Sequence, residues 1–88
     1  MANIKSAEKR IEISARQRSR NRAQRSKMRG AVRKVREAIA AGDQETAQEL
    51  LGETLRIVDA TAQKKVIHAN AAARTKSRLT RAVAHMGE

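Results

Sequence analysis

The sequence predicts an all-α protein: an antiparallel three-helix bundle with a long, overhanging basic N-terminal helix. Three observations carry this. Alanine, arginine, lysine, glutamine and glutamate, all strong helix formers, dominate the 88 residues, and there is no proline. Apolar residues recur at helical spacing in three segments. Two breaks separate the segments: Ala41-Gly42-Asp43, and a less punctuated stretch at Gln63-Lys64-Lys65-Val66.

Helix 1 is expected over about Ser6–Ala41. Gly42 suits the left-handed position after a helix end, and Asp43 suits the N-cap of the next helix. Projected at ~100° per residue, Arg18, Arg22, Arg25, Arg29, Arg33 and Arg36 fall within roughly 80° of one another. Lys5, Lys9, Arg16, Arg20, Lys27 and Lys34 fall within about 60° on the opposite side. Both ridges, with Arg10 beside Lys9, are candidate phosphate contacts. Between them Met28, Val32, Val35 and Ile39 form a narrow apolar stripe, confined to the C-terminal half. Ile4, Ala7, Ile11 and Ala15 sit about 100° away and do not continue it. A helix of ~36 residues is about 54 Å long, against about 30 Å for partners of ~20 residues. Nearly half of helix 1 must therefore overhang, with like charge on two sides. Such a helix makes sense between two separate phosphate backbones.

Helix 2 is expected over Gln44–Gln63, with an apolar stripe of Ala47, Leu50, Leu51, Leu55, Val58 and Ala62. Glu45, Glu49 and Glu53 lie on its far side, pointing away from any nucleic acid toward solvent or a basic neighbour, and Glu45 suits the first turn. Helix 3 is expected over about Ile67–Met86. Ala72, Leu79, Val83 and Met86 form its apolar side, and Arg74, Arg78 and Arg81 line the opposite one. These three arginines and Lys76 complete the candidate contacts. Val35, Leu51, Leu55 and Leu79 are the expected core centres. Gly30 and Gly52 fall inside helices, where each costs about 1 kcal/mol relative to alanine. Either they allow close backbone approach or they are simply tolerated.

Core material is thin for a chain with room for one small domain over residues 1–88. Ile, Leu and Val number only 15, there is no aromatic residue, and 17 of the hydrophobic residues are alanine. With a net charge of +11, this approaches the composition of a disordered chain, so an acidic partner is expected to complete folding. Residues 1–36 carry 13 basic and 2 acidic side chains, residues 37–62 carry 1 and 6, and residues 63–88 carry 6 and 1. A merely solvated face mixes signs. The first block does not, and it reads as a phosphate-binding surface driven by counterion release.

Catalysis has little to work with. His68 and His85 are the only histidines, and without cysteine no thiolate metal site or disulfide framework can form. His68 reads as a half-buried structural residue beside the second break, and His85 as a partner of its helix C-terminus. No Gly-rich phosphate loop or nucleophile elbow is present. The expectation is no enzyme, no cofactor, no metal and no small-molecule substrate. No apolar stretch approaches the ~20 residues of a spanning helix, so no membrane partner is expected. Zinc-finger spacing, heptads and a short helix-turn-helix unit are missing, as are aromatic stacking platforms. Arginine-rich contact with backbone and shape suits a folded, structured nucleic acid, and RNA is preferred over DNA.

Met1-Ala2-Asn3-Ile4-Lys5-Ser6-Ala7 with Lys9-Arg10, Arg25-Ser26-Lys27-Met28-Arg29, Ala38-Ile39-Ala40-Ala41-Gly42-Asp43 and Ile57-Val58-Asp59 form one set of landmarks. Ile67-His68-Ala69-Asn70 and Ala72-Ala73-Arg74-Thr75-Lys76-Ser77-Arg78-Leu79 extend it. Together, and in register over the whole chain, they resemble the bacterial small-subunit ribosomal proteins numbered twenty. The resemblance implies a three-helix protein that binds small-subunit ribosomal RNA directly, early in assembly and near the bottom of the subunit body. It implies a structural constituent that stabilises the RNA fold, located in the cytoplasm within the small subunit. Neighbouring ribosomal proteins are possible further partners, and no homo-oligomer is expected. Two positions depart from the family. Gly usually stands where Lys65 is, which implies either a different turn or a lysine in the left-handed conformation. Lys usually stands where Ala69 is, which implies one phosphate contact fewer. The competing readings are a free-standing basic nucleic-acid-binding protein, nucleoid-like or chaperone-like, and a bundle that docks an acidic protein. Alignment of both ridges with one core stripe argues against the first, and the missing aromatic anchors argue against the second.

Overall fold

The computed structural model describes the backbone of residues 2–87 and the side chains of residues 6–87. Three helices, α1 (Ala2–Ala40), α2 (Gln44–Gln63) and α3 (Ala69–His85), make up the fold, with no strand among the described residues. The all-α bundle expected from the sequence is the one observed.

Inside α1 the only glycine is Gly30 and there is no proline, so helix propagation meets no stop before Gly42. The helix therefore starts ahead of the expected Ser6. Gly42 ends it with φ at 74°, a conformation that glycine adopts without a Cβ clash. There the Asp43 N–H donates to the Ala38 carbonyl at 2.9 Å, and the Gly42 N–H donates to Ile39 at 3.1 Å. This pair of bonds is a Schellman motif, with Ala41 as the cap, so Ala40 is the last helical residue. Asp43 then opens α2. Its carboxylate accepts the Thr46 hydroxyl at 2.6 Å and the Thr46 N–H at 3.2 Å, and these bonds hold its pKa below the ordinary value.

The second break repeats the motif with a different residue. Lys65 has φ at 59°, the Val66 N–H donates to Thr61 at 3.2 Å, and the Lys65 N–H donates to Ala62 at 3.0 Å. Of the two outcomes open at this position, the structure has the left-handed lysine. Helix 3 starts at Ala69, later than the expected Ile67, because His68 is extended and acts as the N-cap. Its Nδ1 accepts the Asn70 N–H at 3.0 Å. His68 is structural as expected, but it is exposed, not half-buried.

Val35, Ala38, Ala47, Leu79 and Val83 form the core at the Gly42 end, with Val32, Ile39, Leu50, Leu51 and Met86 packed around it. Toward the other end Val58, Val66 and Ala72 are buried. On α2 the buried line differs from the expected one. Leu51 and Leu55 flank it half-buried, while Thr54 and Thr61 occupy its centre with Ala47 and Val58. Their hydroxyls are satisfied, which removes the desolvation penalty of burying them. Thr61 donates to the Ile57 carbonyl at 2.7 Å and accepts from Gln24 Nε2 at 2.9 Å, and Thr54 donates to the Ala31 carbonyl at 3.4 Å. Gln24 and Ala31 are seven residues apart on α1, as are Thr61 and Thr54 on α2. The two helices thus run antiparallel in constant register.

A compact chain of this length has a radius of gyration of about 12 Å. The observed value is 17.7 Å, with extents of 67 × 21 × 15 Å. The difference is the overhang: every residue from Ser6 to Ala23 is exposed, Ile11 and Ile13 included, and among the described side chains of α1 the first that is half-buried is Gln24. Gly30 and Gly52 allow no close approach, since a Cβ at either meets nothing within 4 Å. They are tolerated helix glycines.

Candidate nucleic-acid interface

The arginine ridge of α1 becomes one side of a furrow. Arg18, Arg22, Arg25 and Arg29 line a shallow depression of about 330 Å³ on α1. Arg29, Arg33 and Arg36 line the next, about 550 Å³, which Thr75 of α3 bounds. Arg36 then shares a third, about 300 Å³, with Arg78 of α3 and with Ile39, Leu79 and Ala82. Arg29 and Arg36 each border two of these depressions, so the three follow one another as a furrow from Arg18 to Arg78, with Glu37 the one carboxylate on their borders. All of these arginines are exposed. Arg33 lies 4.0 Å from Glu37, but both side chains are largely solvated, at 81% and 70%, so the charge is scarcely neutralised. Arg25 also has a structural task, donating from Nη2 to the Val66 carbonyl at 3.3 Å.

The opposite ridge is different in character. Lys27 and Lys34 border a groove of about 360 Å³ between α1 and α2, and Glu53 of α2 borders it too. Of the expected acidic face, Glu53 thus meets a basic neighbour, at the edge nearer the packed side than the projection placed it. Its position at ~100° per residue is next to Leu50 and Ile57, which flank the packed face. Further out, Arg20 and Lys27 border a larger cleft, about 800 Å³, together with Lys64 and Lys65 of the α2–α3 turn. Lys9, Arg10 and Arg16 are exposed on the overhang. The Lys5 side chain lies outside the described residues.

Helix 3 divides its candidates. Arg78 joins the furrow, and Arg74 and Arg81 are exposed outside these depressions. Lys76 is half-buried and donates from Nζ to Asp59 Oδ1 at 2.8 Å, tying α3 to α2. Its first role is therefore within the bundle. Lys64 and Lys65 were passed over in the sequence, where the second break lacks a glycine and its lysines read only as a boundary. Among the described residues no group of three or more His, Asp or Glu side chains could hold a metal ion. None of the helices is long and apolar enough to cross a membrane.

Fold and surface together define a class: a small all-helical basic protein whose cations lie on faces that its own core leaves uncovered. More specifically, the chain belongs to the ribosomal protein S20 family, whose model matches residues 2–84. The small ribosomal subunit protein bS20 of Mycobacteroides abscessus is 54% identical over 83 residues, covering 94% of this chain and 96% of the relative. The protein of the same name from Nitrosomonas eutropha is 45% identical over 87 residues, covering 99% and 100%. That from Rhodococcus opacus is 53% identical over 83 residues, covering 94% and 96%. The family is the one the sequence landmarks resembled. Membership makes this a ribosomal protein of structural, non-enzymatic class.

Proposed function

We propose that the chain binds small-subunit ribosomal RNA directly, through phosphate and shape contacts, and stabilises the RNA fold as the subunit assembles in the cytoplasm. The whole chain acts as one binding unit. The observation that carries this is the succession of arginine-bordered depressions from Arg18 to Arg78, set against a second cationic face on the same overhanging helix. Two faces of like charge on an unsupported helix repel one another in the free chain. Phosphates on both sides relieve that repulsion. Arginine forks suit phosphate oxygens, and without aromatic residues the surface has no means of stacking splayed bases. Shape and backbone are what it reads. Lys5, Lys9, Arg10, Arg16, Arg20, Lys27 and Lys34 serve one side of the helix, and the furrow serves the other. Arg74 and Arg81 extend the contact onto the outer face of α3, with Lys76 contributing from its ion pair.

The test is the salt dependence of binding to a small-subunit ribosomal RNA transcript. Each neutralised phosphate contributes a log–log slope of about 0.7–0.9. Replacing Arg22, Arg29 and Arg36 together by glutamine should lower affinity and flatten the slope. Replacing Glu45 and Glu49 by glutamine should leave it unchanged or slightly strengthen binding. Equal effects of the two replacements would refute the assignment of faces.

A further inference from the structure

A concavity of about 800 Å³ lies at the elbow where α1 leaves the bundle and meets the α2–α3 turn. Arg20 and Lys27 belong to the second ridge of α1, but neither ridge nor the furrow includes the two turn lysines that complete this cleft. One wall is α1, with Arg20, Gln24 and Lys27, and the other is the turn, with Lys64 and Lys65. No carboxylate borders it. Among the described residues the ion pairs within 4.0 Å are Arg33–Glu37 and Lys76–Asp59, so none of these four cations is paired with a carboxylate.

The elbow is built, not merely lined. Lys64 donates from Nζ to Gln24 Oε1 at 3.2 Å, Gln24 donates to Thr61 at 2.9 Å, and Arg25 donates to the Val66 carbonyl at 3.3 Å. Three side-chain bonds thus fix the turn against α1 and hold the two walls together. An ammonium has three donors, and Lys64 uses one of them here. Lys65 stands at φ 59°, a left-handed conformation that crowds the Cβ of a non-glycine residue. Strain of this kind points to a task for the side chain it keeps.

We infer that this elbow is a phosphate seat, in which Lys64 and Lys65 from the turn and Arg20 and Lys27 from α1 grip the sugar–phosphate backbone of a folded RNA strand. The inference rests on the RNA-binding reading above and adds a site to it. Cations on two walls neutralise adjacent phosphates of a strand laid through the cleft. Gln17 and Asn21, which also border it, supply neutral donors for sugar and phosphate oxygens. The lysine at position 65 keeps a charge in the seat where glycine would relax the turn.

The experiment uses the full chain and a transcript of bacterial small-subunit ribosomal RNA, with salt-dependent binding and thermal melting measured side by side. Lys65→Gly should raise the melting temperature of the free protein while weakening RNA binding, opposite signs that a turn residue of purely structural role would not give. Lys64→Gln with Lys65→Gly should lower the salt slope by roughly 1.4–1.8, the loss of two phosphate contacts. The Arg22, Arg29 and Arg36 glutamine variant runs alongside. If that variant loses slope and the Lys64/Lys65 variant binds as the unaltered chain does, the elbow is not a phosphate seat, although the RNA-binding reading stands. If the unaltered chain fails to bind the transcript, both are overturned.

Discussion

The Gln24 side-chain amide donates to Thr61 Oγ1 at 2.9 Å, the bond that meets α1 where its exposed half ends. The Thr61 hydroxyl in turn donates to the Ile57 carbonyl at 2.7 Å, and Gln24 Oε1 accepts from Lys64 at 3.2 Å. The hydroxyl is fully buried, so it needs both of its partners. A double-mutant cycle of Gln24→Ala and Thr61→Val should therefore return a coupling of about 0.5–1.5 kcal/mol in chemical denaturation. Additive single effects would mean that the bond contributes nothing.

Gly30 and Gly52 offer the reverse test. Both are helical and a Cβ at either meets no neighbour, so Gly30→Ala and Gly52→Ala should each stabilise the free protein by about 1 kcal/mol. Thermal melting of the two variants and their combination reads this directly. A Cβ at either meets no neighbour, so the two share no contact and the gains should add.

Core truncation should distinguish buried from flanking leucines. Leu79 is 2% exposed, and Leu79→Ala should cost about 2–5 kcal/mol, enough to unfold much of so small a domain. Leu55 is only half-buried, and Leu55→Ala should cost distinctly less. Circular dichroism melts that ranked the two equally would contradict the packing of α2. Added RNA should partly rescue Leu79→Ala, because a ligand that binds only the folded state stabilises it by mass action.

The Asp43 cap predicts an acid sensitivity. Its carboxyl is held below the ordinary value by the Thr46 hydroxyl and then the Thr46 N–H. A carboxylate with a lowered folded pKa contributes fully above its unfolded pKa of about 3.9. The contribution is lost as pH falls through the lower folded value. Below about pH 4 the first turn of α2 should therefore fray, seen as a shift of the Thr46 amide resonance. Asp43→Asn keeps a capping oxygen without a titrating proton and should remove that acid-dependent step.

Amide exchange should divide α1 in two. Ser6–Ala23 has no packed face and carries like charges, whereas Val35 and Ala38 sit in the core. Exchange in the free protein should be fast through Arg16–Arg22 and slow around Val35. On binding RNA the first segment should slow. Strong protection there without RNA would contradict the reading.

Much of this architecture was legible because the chain marks it locally. Gly42-Asp43 has a left-handed stop and a capping carboxylate in sequence, and α1 ends there. The overhang followed from the end of the apolar stripe at Met28, and the structure differs by one helical turn, bringing in Gln24. What hydropathy hid was polar packing. Thr54 and Thr61 look like surface residues, yet their hydroxyls find acceptors on α1 or on their own helix, so α2 is rotated away from its leucines. The same rotation carries Glu53 to the groove beside Lys27 and Lys34. On the candidate interface, charge and period placed the arginines of α1 on one exposed ridge. They could not find the elbow, because its walls come from residues about 40 apart in sequence and meet only through tertiary hydrogen bonds. Periodicity puts Lys76 and Arg78 on nearly opposite faces of α3, but only the packing of α3 on α2 shows that Asp59 waits for Lys76 while Arg78 joins the arginines of α1.

The free half of α1 is also a lever arm. From Ala2 to Ala23 it is 22 residues, about 33 Å at 1.5 Å per residue, with its fulcrum at Gln24. A tilt of about 10° at that fulcrum displaces the tip by roughly 6 Å over such a length. That is more than the ~3.4 Å axial spacing of successive phosphates on one nucleic-acid strand. The aim of the distal cations, Lys9 and Arg10 among them, is therefore set by a few bonds at the base. Errors in their placement scale with the length of the arm, so the shortest contacts at the fulcrum govern accuracy at its far end.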